Sequence, residues 1–386
     1  VKKQNGMKRL SLAALAAGHL VGDSYGSFLP ALLPLLMQRH GFGLKEAGGL
    51  AAVAAFSSHF LQPVWGYFAD RWPGRQFAIG GPLLMALCIS SIGLAPSPVF
   101  LVLALALGGC GMAAFHPQAA TLARQASGAR HSLGIALFIS AGSLGFAVGP
   151  VLATGLVSVF GLPGTVGAIV PALVISVLLL WLVPSPQPKA SDTGRKEDPQ
   201  PDGLPLLPMV GLSVVSILRA LVSVAFINLL PILFARQGLE LAQGGARLTL
   251  FLLSGALGGV LAGYASERFG VKSVTGVTLV LSTPFLLLTV WSAGWMQGFA
   301  LVMGGGLLMS SHPINVSWAQ SLAPHRSGTA SALTIGLAFG AAGLLMPFVG
   351  ALGELVGVAG SLAITAGIAV VAALLVIPIP AAPTDV

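Results

Sequence analysis

From Leu10 to Ile379 the chain is a succession of apolar runs, each about as long as a bilayer crossing, and deep inside them stand only two charges, Asp23 and Arg219. A helix needs about 20 residues to span the hydrocarbon core. Runs bounded by polar or glycine-proline breaks fall near 10–37, 47–68, 77–96, 99–121, 133–158, 164–184, 207–235, 246–265, 273–292, 295–318, 328–350 and 358–379. The expected fold is an all-α membrane protein with twelve transmembrane helices. Soluble domains carry about 25% charged residues; this chain carries 8%, with 55% hydrophobic. Such a surface is stable only where lipid takes the place of water. The 51 glycines and 26 prolines fit the same reading, because glycine lets membrane helices approach closely and neighbouring groups re-satisfy the backbone that proline frees.

One long polar segment interrupts the series, SPQPKASDTGRKEDPQPDG from Ser185 to Gly203. It reads as a mobile linker (185–206) between two six-helix halves, residues 1–184 and 207–386. With six spans on either side, both termini and the linker share one face. Lys2, Lys3, Lys8, Arg9, Arg71, Arg75, Arg124, Arg130, Lys189, Arg195, Lys196, Arg268, Lys272 and Arg326 all fall on that face, against Arg39, Lys45, Arg236 and Arg247 on the other. The positive-inside rule makes the crowded face cytoplasmic. The net charge of +8 is therefore read as orientation, and no nucleic-acid partner is expected. The basic opening VKKQNGMKRL precedes an apolar stretch too long for a secretory leader, which is read as a retained first helix.

The halves repeat each other at an offset of 196 or 197 residues. GYFADRW from Gly66 is answered by GYASERF from Gly263, His116–Pro117 by His312–Pro313, Arg130 by Arg326, Pro34 by Pro231 and Pro150 by Pro347. Parallel repeats related by a pseudo-twofold axis along the membrane normal describe a transporter whose halves rock around a central site.

These residues resemble the major facilitator superfamily along essentially all twelve spans. GYFADRWPGR (66–75) approximates its loop signature between helices 2 and 3, with Pro73 where the family has glycine; GYASERFGVK (263–272) keeps the glycine as Gly270. GSLGFAVGPVLATG (142–155) is similar to the helix-5 motif of the family's antiporters. HLVGDSYGSFLPALLPLL (19–36), LQPVWGYFADR (61–71) and GMAAFHPQAATLAR (111–124) resemble the fosmidomycin-resistance group, with Gly22 where the group carries asparagine. The resemblance implies a multidrug-efflux type of exporter in a bacterial inner membrane, driven by proton antiport, conferring antibiotic resistance and working as a monomer.

A carboxylate at a helix centre is costly, roughly 2.5–3.5 kcal/mol on insertion scales, so Asp23 is expected to face the bundle interior or a wet cavity. Two readings stay open for it, a proton carrier and a structural ion-pair member. Arg219 occupies nearly the repeat-related position. It can pair with Asp23 as a fixed positive charge, bind an anionic group such as a phosphonate, or serve structure alone. His19, one turn before Asp23, either shares its proton or is an ordinary hydrogen-bonded helix residue.

His59 and Gln62, three residues apart, and Asn228 and Asn315 are candidates for lining the substrate path, or else for tying helices together. His116 and His312 precede prolines, and their repetition argues first for geometry, with histidine bonding backbone freed by Pro117 and Pro313. Gly66, Asp70 and Arg71, repeated as Gly263, Glu267 and Arg268, are expected to gate, joined by Arg75, Arg130 and Arg326, with solvated loop charges as the alternative. Gly145, Gly149 and Pro150 are expected to pack helices tightly.

Cys88 and Cys110, both in apolar runs, suggest neither a disulfide nor a metal site. No phosphate-binding loop, metalloprotease motif or second catalytic cluster is present, so no cofactor, metal or enzymatic activity is expected. The expectation is a secondary transporter coupling protons to export of a small drug-like, polar or anionic solute. Uptake or exchange of a metabolite or organic anion is the runner-up, and a membrane receptor or assembly protein without flux the alternative from another class.

Overall fold

The computed structural model describes residues 7–72, 74–185 and 205–381, and of Asp70, Ser132 and His325 only the backbone. Most of the expected linker, including Lys189, Arg195 and Lys196, lies outside the described residues, as do Lys2 and Lys3. Every described element is helical. In chain order they are α1 (Arg9–Gly26), α2 (Phe28–His40), α3 (Leu44–Ala55), α4 (Gln62–Arg71), α5 (Gln76–Ser90), α6 (Pro98–Ala126), α7 (His131–Phe160), α8 (Ile169–Leu182), α9 (Leu206–Arg236), α10 (Leu241–Phe269), α11 (Val271–Trp291), α12 (Gly294–Leu322), α13 (Ser327–Ser331), α14 (Ala338–Leu344) and α15 (Met346–Val376).

Among the described residues ten helical stretches are long and apolar enough to cross a membrane. The difference from the expected twelve lies in two places. The run expected at 47–68 is divided between α3 and α4 by a π-helical turn over Phe56–Phe60. Those expected at 328–350 and 358–379 are joined in one helical stretch, Ser327–Val376, that breaks at Gly357, whose φ of 79° is open to glycine and costly for other residues.

Proline sets these irregularities. Pro63 cannot donate to the carbonyl one turn before it, and the chain takes up the slack as the π turn just ahead. There the Ser57 and Ser58 hydroxyls donate to the Val53 and Ala54 carbonyls at 2.9 and 2.6 Å. Pro30 likewise follows the interruption between α1 and α2, where the Ser27 hydroxyl donates to the carbonyl of Phe146 at 2.8 Å. A second π turn, Ala332–Leu337, leads into α14.

The helices before residue 185 pack chiefly on one another, as do those after residue 205. Contacts inside the two sets recur in the register of the sequence repeat. The side-chain carbonyl of Gln118 accepts from the amide of Ala78 at 2.8 Å, and that of Asn315 accepts from the Thr275 hydroxyl at 3.0 Å. Arg75 donates to the carbonyls of Leu180 and Val183, and Lys272 donates to that of Ile377 at 2.7 Å. Cations thus meet the negative ends of the last helix in each set.

The Arg75 and Lys272 contacts, with the bond from the Lys8 amide to the Ala126 carbonyl, mark the face from which α1 rises, here called the terminal face. Contacts between the sets run through α2–α9, α3–α14, α3–α15 and α7–α10. Toward the opposite face they bring main chain against main chain. A Cβ on Gly48 of α3 would lie 2.9 Å from the nitrogen of Pro347, and one on Gly350 of α15 would lie 2.9 Å from Lys45 Cα. On the terminal face α4 packs on α6, α13 packs on α12, and a Cβ on Gly263 would meet nothing within 4 Å.

Candidate substrate and coupling site

Asp23 sits nearly four turns into α1, and its neighbours are histidines. Its Oδ2 lies 3.2 Å from His19 Nε2, one turn earlier on the same helix, and its Oδ1 lies 3.4 Å from His116 Nε2 of α6. The two imidazoles are 3.2 Å apart at their Nε2 atoms. Their other nitrogens are already committed. His19 Nδ1–H donates to the carbonyl of Phe138 at 2.8 Å, and His116 Nδ1–H donates to that of Met112 at 2.9 Å. A carbonyl only accepts, so in the neutral rings both Nε2 atoms carry lone pairs. Three acceptors then face one another, an arrangement that holds together when at least one proton is shared among them. The three ligand atoms lie within 4.8 Å of one another, close enough to share a proton or bracket a small cation.

Packing holds this cluster in place. The His19 ring stacks on Phe138 at 4.2 Å between centroids and tilts against Phe115 at 5.8 Å. Helix α7 reaches it through glycine. A Cβ on Gly142 would fall 2.7 Å from Asp23 Oδ2, and one on Gly145 would fall 2.8 Å from Leu20 Cα. Gly149 meets the Ser24 carbonyl in the same way. The close packing expected of Gly145 and Gly149 is thus directed at the helix that carries Asp23, whereas the Pro150 carbonyl accepts from the Thr154 hydroxyl and faces Gly245 of α10. A pocket of about 520 Å³ runs between α1 and α7 from Met7 and Arg9 to Leu20 and Ala141, the neighbours of His19 and Gly142.

Arg219 of α9 does not meet Asp23. It is 1% exposed, and its NH2 group donates to His312 Nδ1 of α12 at 3.3 Å. That nitrogen accepts, which an imidazolium nitrogen cannot do. The guanidinium carbon stands 5.1 Å over the Phe339 ring of α14, and Nε has no hydrogen-bond partner among the described residues. The pairing of Asp23 with Arg219 left open by the sequence is replaced by two separate contacts in the same repeat register, His116 with Asp23 and His312 with Arg219. A geometric role alone for these histidines gives way accordingly: His116 does bond its own helix backbone, and each histidine also touches the buried charge of its set.

His59 lies between the two clusters. Carried by the π turn of Phe56–Phe60, it stacks on Phe339 at 5.6 Å, and His312 meets the same ring edge-on at 5.2 Å. Its Nδ1 is buried without a partner among the described residues. The other path candidates have hydrogen bonds within the bundle. Gln62 donates to the Ser58 carbonyl at 2.9 Å, and Asn228 donates to that of Val224 at 2.8 Å. Asn315, 1% exposed, ties α12 to α11. Tyr25 donates away from the cluster to the Ala168 carbonyl at 2.5 Å.

On the terminal face the gating candidates whose side chains are described do not join one another. The Arg71 guanidinium lies 3.6 Å from the Tyr67 ring centroid, Arg268 stands 5.4 Å from that of Phe269, and Arg75 anchors α8. Gly66 faces Pro117, 3.9 Å from where its Cβ would be. Among the described residues no ion pair links Glu267 with Arg130, Arg268 or Arg326, and the side chain of Asp70 lies outside the described residues. Sequence reasoning missed Phe339, which has no chemical signature, and gave Gly142 no role although it heads the 142–155 motif. Pro117 and Pro313 stand beside the site inside α6 and α12, and both helices continue through them.

Residues 14–230 match the family model described as the Major Facilitator Superfamily. The chain is 30% identical over 358 residues to the fosmidomycin resistance protein of Escherichia coli (strain K12), covering 89% of this chain and 86% of that protein. It is 26% identical over 344 residues to an uncharacterized MFS-type transporter, YfnC, of Bacillus subtilis (strain 168), covering 86% and 84%. Among solved structures, a bacterial homolog of the human lysosomal transporter Spinster, inward-facing and unoccupied, superposes with a TM-score of 0.79 at 14% identity over 97% of both chains. The nucleoside transporter NupG superposes with a TM-score of 0.75 at 15% identity, over 96% of this chain and 99% of that one. An all-helical chain that crosses the bilayer many times and matches the family over more than half its length belongs to the Major Facilitator Superfamily, a secondary transporter that moves a small solute across the membrane and not an enzyme.

Proposed function

We propose that the protein is a proton-coupled antiporter that exports a small drug-like or polar, anionic solute from a bacterial cell by alternating access. On this reading twelve helices cross the inner membrane as two six-helix bundles, residues 1–184 and 207–386, with both termini and the linker cytoplasmic. The observation that carries it is the pair of repeat-related contacts at the core. One set offers an acid with two imidazoles, His116 and His19 on Asp23; the other offers a base that cannot release its proton, Arg219 against His312.

The cluster around Asp23 takes up and releases the coupling proton. Arg219, with an unpartnered Nε, holds the anionic group of the solute, and His59 and Phe339 lie between the two ends. Antiport follows when a donor group of the solute and the proton compete for the same Asp23 carboxylate. Alternating access is supported by the unequal packing of the two faces: tight contacts between the sets at Gly48 and Gly350 toward the opposite face, and an unobstructed Gly263 on the terminal face. This is the arrangement of an inward-facing state, with Glu267, Arg268, Arg130 and Arg326 apart until the cytoplasmic side closes.

One observation favours a second reading, uptake or exchange of an organic anion. A bound anion at Arg219 and a proton near Asp23 relieve each other's electrostatic cost, and that is the coupling of symport. Purified protein in liposomes containing a pH-sensitive dye separates the two, with fosmidomycin as the first solute because the E. coli relative is named for resistance to it. Antiport predicts that solute and protons cross in opposite directions and that adding solute dissipates an imposed pH gradient. Parallel movement installs the symport reading. A panel of small anions that moves under neither gradient direction rejects transport by this mechanism.

A further inference from the structure

Helix α3 begins without a cap of its own. Its N-cap residue is Gly43, which has no side chain to accept from the first turn. The Gly43 amide donates to Glu46 Oε2 of the same helix at 2.9 Å. The amide of Lys45, the second helical residue, donates to Glu354 Oε1 at 3.0 Å, and Glu354 lies in α15, 309 residues further along the chain. An N-cap side chain normally accepts from the second or third amide of its helix. Glu354 fills that position from the other set of helices, with a full negative charge at the positive end of the helix.

The local packing is shaped around this contact. A Cβ on Gly43 would fall 2.6 Å from Glu354 Oε1, so a capping side chain there and the carboxylate compete for the same space. On either side the two helices touch through glycine: Gly350 against Lys45 Cα, and Gly353 against Leu44 Cδ1, both at 2.9 Å from the Cβ position. Glu354 also stands three residues before the break at Gly357, which orients the segment independently of the helix that follows.

We propose that Glu354 is a latch: it caps α3 across the interface and holds the face opposite the termini closed, so that opening this face removes the cap from α3. The latch presupposes that the two helix sets separate there, as in the alternating access described above, but it needs neither protons nor solute to be observed.

Spin labels at V99C (67% exposed, at the start of α6) and W295C (78% exposed, at the start of α12) place one probe on each set near this face, in a chain with Cys88 and Cys110 replaced by alanine. Double electron–electron resonance in liposomes then reads their separation. Glu354→Ala is expected to move the population toward the longer distance by roughly tenfold, the effect of losing about 1.4 kcal/mol of capping. Glu354→Gln, which keeps an acceptor and loses the charge, falls between. The variant combining Glu354→Ala with Gly43→Ser restores a cap within α3 and leaves the latch absent, so its long distance persists. Return to the parent distribution in that double variant overturns the latch in favour of plain helix capping. Gly48→Trp, a wedge in the same contact zone, separates the remaining outcomes. If it lengthens the distance while Glu354→Ala does not, the latch falls and alternating access stands. If neither variant opens this face, both fall.

Discussion

Replacing Gly142 by alanine perturbs the Asp23 cluster through shape alone. The added methyl carbon would stand 2.5 Å from His19 Cε1 and 2.7 Å from Asp23 Oδ2. Ordinary contacts begin near 3.4 Å, so the imidazole must retreat about 0.9 Å and the carboxylate about 0.7 Å. Backing α7 away as a body would open the close contacts of Gly145 and Gly149 with the main chain of Leu20 and Ser24. A His19–Asp23 separation of 3.2 Å then stretches to about 4 Å, beyond hydrogen-bonding range. A hydrogen bond to a charged group contributes about 1.5–3 kcal/mol, and alanine returns about 1 kcal/mol over glycine in a helix. The folded protein should therefore lose no more than about 2 kcal/mol, while proton-driven flux falls about 10- to 100-fold if the cluster's geometry is its coupling device. Gly155→Ala is the matched control, on the same helix with nothing within 4 Å of the new atom. Flux in proteoliposomes under an imposed pH gradient, normalised to folded protein, is the assay. Gradient-driven flux in Gly142→Ala equal to that in Gly155→Ala would refute the reasoning.

Asp23→Asn keeps the shape and lets an amide donate to a histidine Nε2, so exchange without a gradient should persist while gradient-driven accumulation disappears; retained accumulation removes Asp23 from coupling. Arg219→Ala should raise the KM for an anionic solute at least about tenfold with a smaller change for a neutral one, and equal effects on both would assign Arg219 to structure. Gln118→Ala leaves the Ala78 amide without its acceptor and should destabilise the fold by about 1–3 kcal/mol, read as a lower Tm, with transport per folded molecule unchanged. Gly48→Ala puts a carbon 2.7 Å from the carbonyl carbon of Met346 and should increase labelling of this interface from the opposite face; unchanged labelling would show that the contact does not hold that face shut.

The chain's membrane character, its approximate helix boundaries and the partners of its repeat were legible because each is written locally. Apolar runs, prolines and duplicated motifs sit in the sequence itself, and the contacts of Gln118 and Asn315 fall where the 197-residue offset puts them. The expected boundaries of α6, 99–121, lie inside the observed Pro98–Ala126, whose start carries a capping contact, Phe100 amide to Ser97 hydroxyl, at 3.3 Å. Where the spans differ, at the π turn before Pro63 and at Gly357, the cause is a local break inside a run that hydropathy averages over.

The candidate site was half legible. Asp23, His19 and Arg219 announce themselves as polar groups at bilayer depth, where burial makes every charge answer to a partner. Which partner each finds is a matter of helix rotation and spacing between segments about 100 residues apart, and no local pattern encodes that. Phe339 and Glu354 carry no signal of their own in the sequence, and the motif that contains Gly142 does not say what it touches; their positions against His59, the first turn of α3 and Asp23 exist only once α14, α15 and α7 have docked. Composition and repeat determined that this is a membrane-spanning bundle with charges at its centre. Tertiary packing decided that the acid meets histidines and the base meets an aromatic ring, because within a low-dielectric interior the pairing of buried charges is set by which side chains the docked helices bring within a few ångströms.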